Sequence, residues 1–223
     1  MPKTTSDYDW PGWPLNDNPY GSDFDLPARK RMIAGSRQLW PLIQKYKNRL
    51  GTNLLEVGPF FNPLITPKEF PKGRIFYWEN DRHVLKWLPR QYPGTAPIYC
   101  DLNKVEGISA LRLKMETLKR FLKFKTKSIR FDAVVASHVL NYIDYRLFLL
   151  TLKGFIKPGG LLFINNVVNY GLPPFFSDKR PHSIVETLQT IRDAGYSILE
   201  SRTIKSVHPR QKNKRLLVVA QAT

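Results

Sequence analysis

Apolar residues recur along this chain in two rhythms. Short, nearly continuous runs stand at Leu54-Leu55 with Val57, Ile75 to Trp78, Val134 to Ala136 and Leu161 to Ile164. Runs of that length suit strands buried on both faces of a parallel sheet. Between them the apolar spacing turns helical, as at Leu111, Met115, Leu118 and Leu122. A helix is predicted over 28–50, bent at Pro41, with Ile33, Leu39, Trp40, Leu42, Ile43 and Tyr46 on its apolar side and Gly51 as its stop. Strands follow at 54–57 and 74–79, an amphipathic helix at about 81–88, a third strand at 97–102 and a basic helix within 104–130. A fourth strand begins at Phe131 and passes through a loop into a helix at 144–156, closed by Lys157-Pro-Gly-Gly160 before the strand 161–164. Ser183-x-x-Glu186 is a capping box opening a helix to about Asp193. Strands at 197–203 and 216–220 close the chain.

Between the first two strands the pattern breaks. Pro63, Pro67 and Pro71 leave room for one short turn of helix at most. The first strand itself ends at Gly58-Pro59, a pair that turns the chain sharply. Glycine lacks a Cβ, so a ligand can lie directly against the backbone there. In open α/β sheets ligands bind outside the carboxyl ends of the strands, where this turn falls.

Composition narrows the picture. A chain of 223 residues with 42% hydrophobic content buries one core and reads as a single domain at 28–223. Residues 1–27 form a separate arm, with five prolines, five aspartates, one lysine and the aromatics Tyr8, Trp10, Trp13, Tyr20 and Phe24. An acidic, aromatic arm on a basic protein is expected to pack on the body and to act as a lid. No stretch is long and apolar enough to span a bilayer, and no basic-then-apolar leader opens the sequence. A lone cysteine, Cys100, excludes an internal disulfide and fits a reducing cytoplasm. The net charge of +17 fits an anionic partner and says nothing about fold. Its densest stretches are 104–130, with nine lysines and arginines against Glu106 and Glu116, and 205–215. A solvated charged face is the ordinary meaning of such runs.

Leu54-Leu-Glu-Val-Gly-Pro59 resembles motif I of the class I S-adenosylmethionine-dependent methyltransferases, an acid-x-Gly-x-Gly type of turn after the first strand. The later glycines are absent, and Phe60, Phe61, Asn62 and Pro63 stand in their place. Phe131-Asp-Ala-Val, Ser137-His-Val-Leu140 and Lys157-Pro-Gly-Gly160 resemble the middle of the same family, and the closing helix, Ala194-Gly-Tyr196 and hairpin resemble its end. The resemblance covers about residues 50–221. It implies a Rossmann-like α/β fold, with a mostly parallel seven-stranded sheet, helices on both faces and a C-terminal antiparallel hairpin.

It also implies S-adenosyl-L-methionine as cofactor and S-adenosyl-L-homocysteine as product. Glu56, Gly58, Pro59 and Phe60 fall on the motif I turn. Glu79, with Asn80 beside it, falls where the family's acid takes the ribose hydroxyls, roughly 20 residues past the turn. Helix capping beside Asp81 is the competing role for Glu79. Asp101 and Leu102 fall where the family receives the adenine, and Asp101 is equally placed to cap the next helix. Ser137 and His138, at the end of strand four, complete the cofactor set.

Methyl transfer needs alignment above all, and a base only for a protonated acceptor. His138 and His182 are candidate bases and Tyr142 a candidate substrate contact. The ordinary alternatives are a pocket wall for His138 and a pre-helix position for His182. No metal-ligand cluster or phosphate-loop motif is present in the sequence. The expected function is methyl transfer to an O or N atom of a small-molecule acceptor, from the Ser-His-Val-Leu strand end, the arm and the loop 171–176. A nucleic-acid methyltransferase, from the basic stretches, and a catalytically inactive basic binding module are the alternatives. Steep salt dependence of nucleic-acid binding separates them. Oligomeric state is left open.

Overall fold

The computed structural model describes residues 26–102, 129–168, 183–205 and 214–223. Helix α1 (Leu26–Arg37) and helix α2 (Trp40–Lys45) precede a 3-10 turn at Lys47–Arg49. Strand β1 (Asn53–Val57), β2 (Arg74–Glu79), α3 (Arg82–Gln91) and β3 (Ala96–Tyr99) follow. Then come β4 (Phe131–Ser137), α4 (Tyr145–Lys153), β5 (Ile156–Val167), α5 (Ile184–Asp193), β6 (Tyr196–Lys205) and β7 (Lys214–Ala222). The seven strands form one sheet in the order β3-β2-β1-β4-β5-β7-β6. The first five strands pair in parallel, and β7 enters antiparallel between β5 and β6. The expected architecture is therefore present, closing hairpin included.

Strand alternation divides the core in two. Leu55, Val57, Trp78, Val134, Ala136 and Ile164 meet Tyr145, Phe148, Leu149 and Ile191 of α4 and α5 on one face. Leu54, Ile75, Tyr77, Val135, Phe163 and Val219 meet Leu42 and Ile43 of α2 and Val84 and Leu88 of α3 on the other. The caps explain where these helices begin. Asp81 accepts from the amides of His83 (2.7 Å) and Val84 (3.1 Å), Asp144 from Leu147 (3.1 Å), and Ser183 from Glu186 (3.0 Å).

Three elements differ from expectation. The N-terminal helix breaks at Gln38-Leu39 rather than at Pro41, because a proline is tolerated in the first turn of α2, where its missing N–H has no partner to lose. Lys157-Pro-Gly-Gly160 lies inside β5 instead of closing a turn, and the pairing to β4 shifts register between Phe131 and Ala133. The third strand ends at Tyr99, which leaves Asp101 and Leu102 beyond it. The 58–73 connection contains turns and no helix, as its prolines require.

Gly51 sets the entry to β1. Its φ is +66°, and a Cβ there would sit 2.4 Å from Asp132 Cγ. Asp132 must stay, since its Oδ2 accepts the amides of Thr52 (3.0 Å) and Asn53 (2.8 Å) and its Oδ1 pairs with Lys157. Gly51→Ala is expected to cost about 1–3 kcal/mol, from the left-handed backbone and the displaced carboxylate. A lower urea midpoint at unchanged slope is the check.

Candidate active site

At the carboxyl ends of the parallel strands the second core face stops being apolar. By alternation it carries Glu56 on β1, Glu79 on β2, Ser137 on β4, Asn165 on β5 and Arg215 on β7. All five are buried. A row of buried polar groups has to be satisfied, and the way each is satisfied defines what the site offers.

The two acids bind the turn that separates them. Glu56 Oε2 accepts the amides of Leu64 and Ile65, both at 2.8 Å, and its Oε1 lies 3.0 Å from the Leu64 amide. Tyr77 donates its hydroxyl to the Ile65 carbonyl at 2.6 Å. The helixless connection after β1 is thus held by buried side chains instead of by a helix's own ladder. Burial pushes the Glu56 carboxyl up to about 8, against the two amides and the Arg37 charge.

Glu79 Oε2 accepts the Phe60 amide (3.1 Å), and Oε1 accepts those of Asn80 (2.8 Å) and Asp81 (3.0 Å). Burial raises its carboxyl too, against those same amides. Glu79 therefore does support the start of α3, the alternative role raised from the sequence. A carboxylate has about four lone-pair sites. Three are taken by amides, so the acid retains capacity for one further donor, fewer than the two expected from sequence.

Gly58 and Phe60 carry the turn with φ values of +60° and +51°. A Cβ on Gly58 would lie 2.9 Å from Val139 Cγ2, so glycine is needed where the β1 and β4 loops meet. Pro59 is buried and Phe60 half-buried. The Phe60 ring stands edge-on to Phe61 (4.9 Å between centroids), Phe61 to Trp87 (5.2 Å) and Trp87 to Tyr92 (5.8 Å), an aromatic series running from the turn to α3.

His138 follows β4 with φ +64°, its amide donating to the Asn165 carbonyl at 2.7 Å. Arg215 Nη1 lies 2.8 Å from His138 Nε2 and 2.9 Å from Asn165 Oδ1. Burial and the Arg215 charge together hold the imidazole down at about 3, so the ring is neutral, with Nε2 as acceptor and the proton on Nδ1. Asn165 Nδ2 donates to the Gly35 carbonyl (2.8 Å), which seats the end of α1 over the strand ends. Gly35 allows this approach, since a Cβ would come 2.9 Å from Arg215 Nη2 and 3.0 Å from His138 Nε2. The guanidinium beside the last carbonyls of α1 also sits where a helix terminus favours a cation.

Of the other sequence candidates, Asn80 is exposed, Asp101 and Leu102 are half-buried, and Tyr142 is 45% exposed at the β4–α4 turn. His182, Asn169, Tyr170, the loop 171–176, the 104–128 part of the basic helix, most of the 205–215 loop and the arm to Asp25 lie outside the described residues. Arg215 and Tyr77 are contributors the sequence reading missed. Arg215 stood within a basic stretch, and its alternation with Leu217 and Val219 is the signal that it points inward. A separate cleft of about 630 Å³ between α4 and α5, lined by Arg146, Leu150, Glu186 and Gln189 among others, holds none of the site residues.

Solved structures match this fold over most of the chain. The N-methyltransferase NodS from Bradyrhizobium japonicum WM9, solved with S-adenosyl-L-homocysteine, matches at a TM-score of 0.58 with 16% identity over 93% of each chain. The 1,6-didemethyltoxoflavin-N1-methyltransferase of Burkholderia thailandensis, solved with its namesake compound and S-adenosylhomocysteine, gives 0.59 at 12%, over 86% of this chain and 79% of that one. The chain has the class I methyltransferase fold. The cyclase SpnF shares this methyltransferase fold at 0.60 and 14% identity, over 84% of this chain and 80% of its own. No protein-family model and no curated protein matches the sequence. The reaction has therefore to be argued from the site.

Two buried polar atoms stand on the loop after β1 and at the end of β4. Asn62 Nδ2 and Ser137 Oγ have no hydrogen-bond partner among the described residues, although both residues are nine-tenths buried. Orphaned groups of this kind cost about 1–3 kcal/mol each when nothing meets them. Together with the one spare acceptor site on Glu79 they fit a nucleoside that presents a single ribose hydroxyl to the acid and carries an amino acid end.

Proposed function

We propose that this protein is an S-adenosylmethionine-dependent methyltransferase acting on an O or N atom of a small-molecule acceptor. The observation that carries the reading is Glu79, a buried acid at the carboxyl end of β2 whose Oε2 is shared with the turn after β1. In this role Glu79 holds a ribose hydroxyl, the Gly58–Phe60 turn lies under the nucleoside, and Asp101 and Leu102 edge the adenine. Ser137 and Asn62 supply the missing partners of the amino acid end. The bound cofactor supplies an activated methyl group; the chain's own residues contribute alignment, which is worth about 7–11 kcal/mol in such displacements.

His138 serves better as a wall than as a base. Its Nε2 lone pair faces the Arg215 guanidinium, so accepting a substrate proton requires that contact to open. Arg215, Asn165 and the end of α1 close the acceptor side of the strand ends, which favours a compact acceptor. The small compound named in the Burkholderia relative is in keeping with this.

The test is a thermal-shift titration with S-adenosylmethionine and S-adenosylhomocysteine, with ATP and NAD as controls. Saturation at a hundred times the dissociation constant adds about 2.7 kcal/mol, which raises the melting temperature by roughly 5–11 °C. A selective rise supports the reading. No rise with either methionine nucleoside overturns it.

A further inference from the structure

The amino ends of β1, β2 and β4, opposite the candidate site, carry charge of one sign. Lys47 and Arg49 stand on the 3-10 turn before β1, Lys72 before β2 and Arg130 before β4. Three contacts gather these segments. The Arg74 amide donates to the Thr52 carbonyl (2.6 Å), Asn53 Nδ2 donates to the Arg130 carbonyl (3.2 Å), and the Lys47 ammonium lies 5.5 Å from the centre of the Phe70 ring. All four cations are exposed, and none is in an ion pair among the described residues. Segments 47–53, 68–74 and 130–132 hold six lysines and arginines against two acids, Glu69 and Asp132. Asp132 is engaged by the Thr52 and Asn53 amides and by Lys157, so it does little to offset them. A solvated face mixes both signs, whereas like charges left together repel.

The arrangement decides what partner fits. The row crosses β2, β1 and β4, two interstrand spacings or about 10 Å. A linear polyanion can meet cations spread in this way, while a lone phosphate needs them to converge. Phe70 is buried and the Tyr46 ring is flanked by Lys45 (5.5 Å) and Arg49 (5.6 Å), which leaves phosphates rather than stacked bases as the recognised groups. A bilayer is matched less well. The large exposed apolar side chains among the described residues, Tyr99, Tyr142, Leu147, Leu150, Val185 and Leu199, all stand on other segments. We propose that this end of the sheet is a docking surface for the phosphodiester backbone of a nucleic acid, bound by charge and without regard to sequence. Because it lies opposite Glu56 and Glu79, it anchors the chain without presenting a base to the candidate site. None of the four cations belongs to the cofactor site, so the two readings stand or fall separately.

Fluorescence anisotropy of a labelled DNA duplex of about 20 base pairs, titrated between about 50 and 200 mM salt, tests the surface in two variants of the full chain. Lys47→Gln/Arg49→Gln/Lys72→Gln/Arg130→Gln removes it, and Lys30→Gln/Arg82→Gln/Lys86→Gln/Arg90→Gln removes equal charge elsewhere. Each phosphate contact contributes about −0.9 to the slope of log K against log salt. The first variant is expected to bind at least about tenfold more weakly and to flatten that slope by about 3–4, the second by less than about 1. Should the first not fold, Lys72→Gln and Arg130→Gln, which lose no ring contact among the described residues, are each expected to flatten it by about 0.9. No binding by the unaltered chain, equal losses in the two variants, or capture on phosphatidylserine vesicles without binding to DNA overturns the inference.

Discussion

Glu79→Ala is expected to weaken S-adenosylhomocysteine binding by about 1.5–3 kcal/mol, the value of a hydrogen bond to a charged group, or roughly 10- to 150-fold in dissociation constant. The loss has two sources. One is the direct acceptor for a ribose hydroxyl. The other is the Phe60 amide, which loses its anchor at 3.1 Å and frees the turn. Glu79→Gln removes the charge and keeps one carbonyl, which accepts either the Phe60 amide or those of Asn80 and Asp81. An intermediate loss in Glu79→Gln is the expected pattern. Burial raises the Glu79 carboxyl, so affinity should also fall on acidification, as the ionised acceptor is lost, and that pH dependence should be absent from Glu79→Gln. Calorimetry across pH provides both checks, and an unaltered affinity in Glu79→Ala would remove Glu79 from the cofactor site.

The sheet was legible because its parallel strands are nearly continuous apolar runs, which only a doubly covered sheet can bury. What was less legible had physical reasons. Pro158-Gly-Gly160 carries turn residues, yet the pairing of Phe131 with Ile156 extends β5 past them, with a register shift that local sequence does not encode. Pro41 was visible as a helix breaker, but a proline near a helix start is no fault, so the break moved upstream. In the site, Glu56 and Glu79 could be chosen by residue type and by spacing from Gly58. Their use by the backbone amides of Leu64, Ile65, Phe60, Asn80 and Asp81 could not, because it depends on how a helixless loop folds back over the strand ends. The Arg215–His138 contact joins residues 77 positions apart and has no local signature at all.

Glu56 carries the other large effect, and its sign is the reverse of an ordinary surface acid. The folded state raises its carboxyl from 4.5 to about 8, so between those values the native chain holds a proton that the unfolded chain releases. Stability contributed by this group is therefore greatest below about pH 4.5 and is lost as pH rises through 8, by about 1.4 kcal/mol for each unit inside the window. The amides of Leu64 and Ile65, which donate to Oε2 at 2.8 Å with Leu64 also 3.0 Å from Oε1, favour the charged form, and burial outweighs them, which leaves a neutral acid as the acceptor at neutral pH. Glu56→Gln reproduces that neutral acceptor and cannot ionise, so its unfolding free energy should lack this decline and exceed that of the unaltered chain above pH 8. Glu56→Ala should instead lose about 2–6 kcal/mol near neutrality, since it leaves the Leu64 and Ile65 amides buried without an acceptor. Urea unfolding of the three chains from pH 5 to 9 tests the pair of expectations. Parallel curves for the unaltered chain and Glu56→Gln would mean that this carboxyl is not the group that binds the proton, and that the turn after β1 is held by an ionised acid instead.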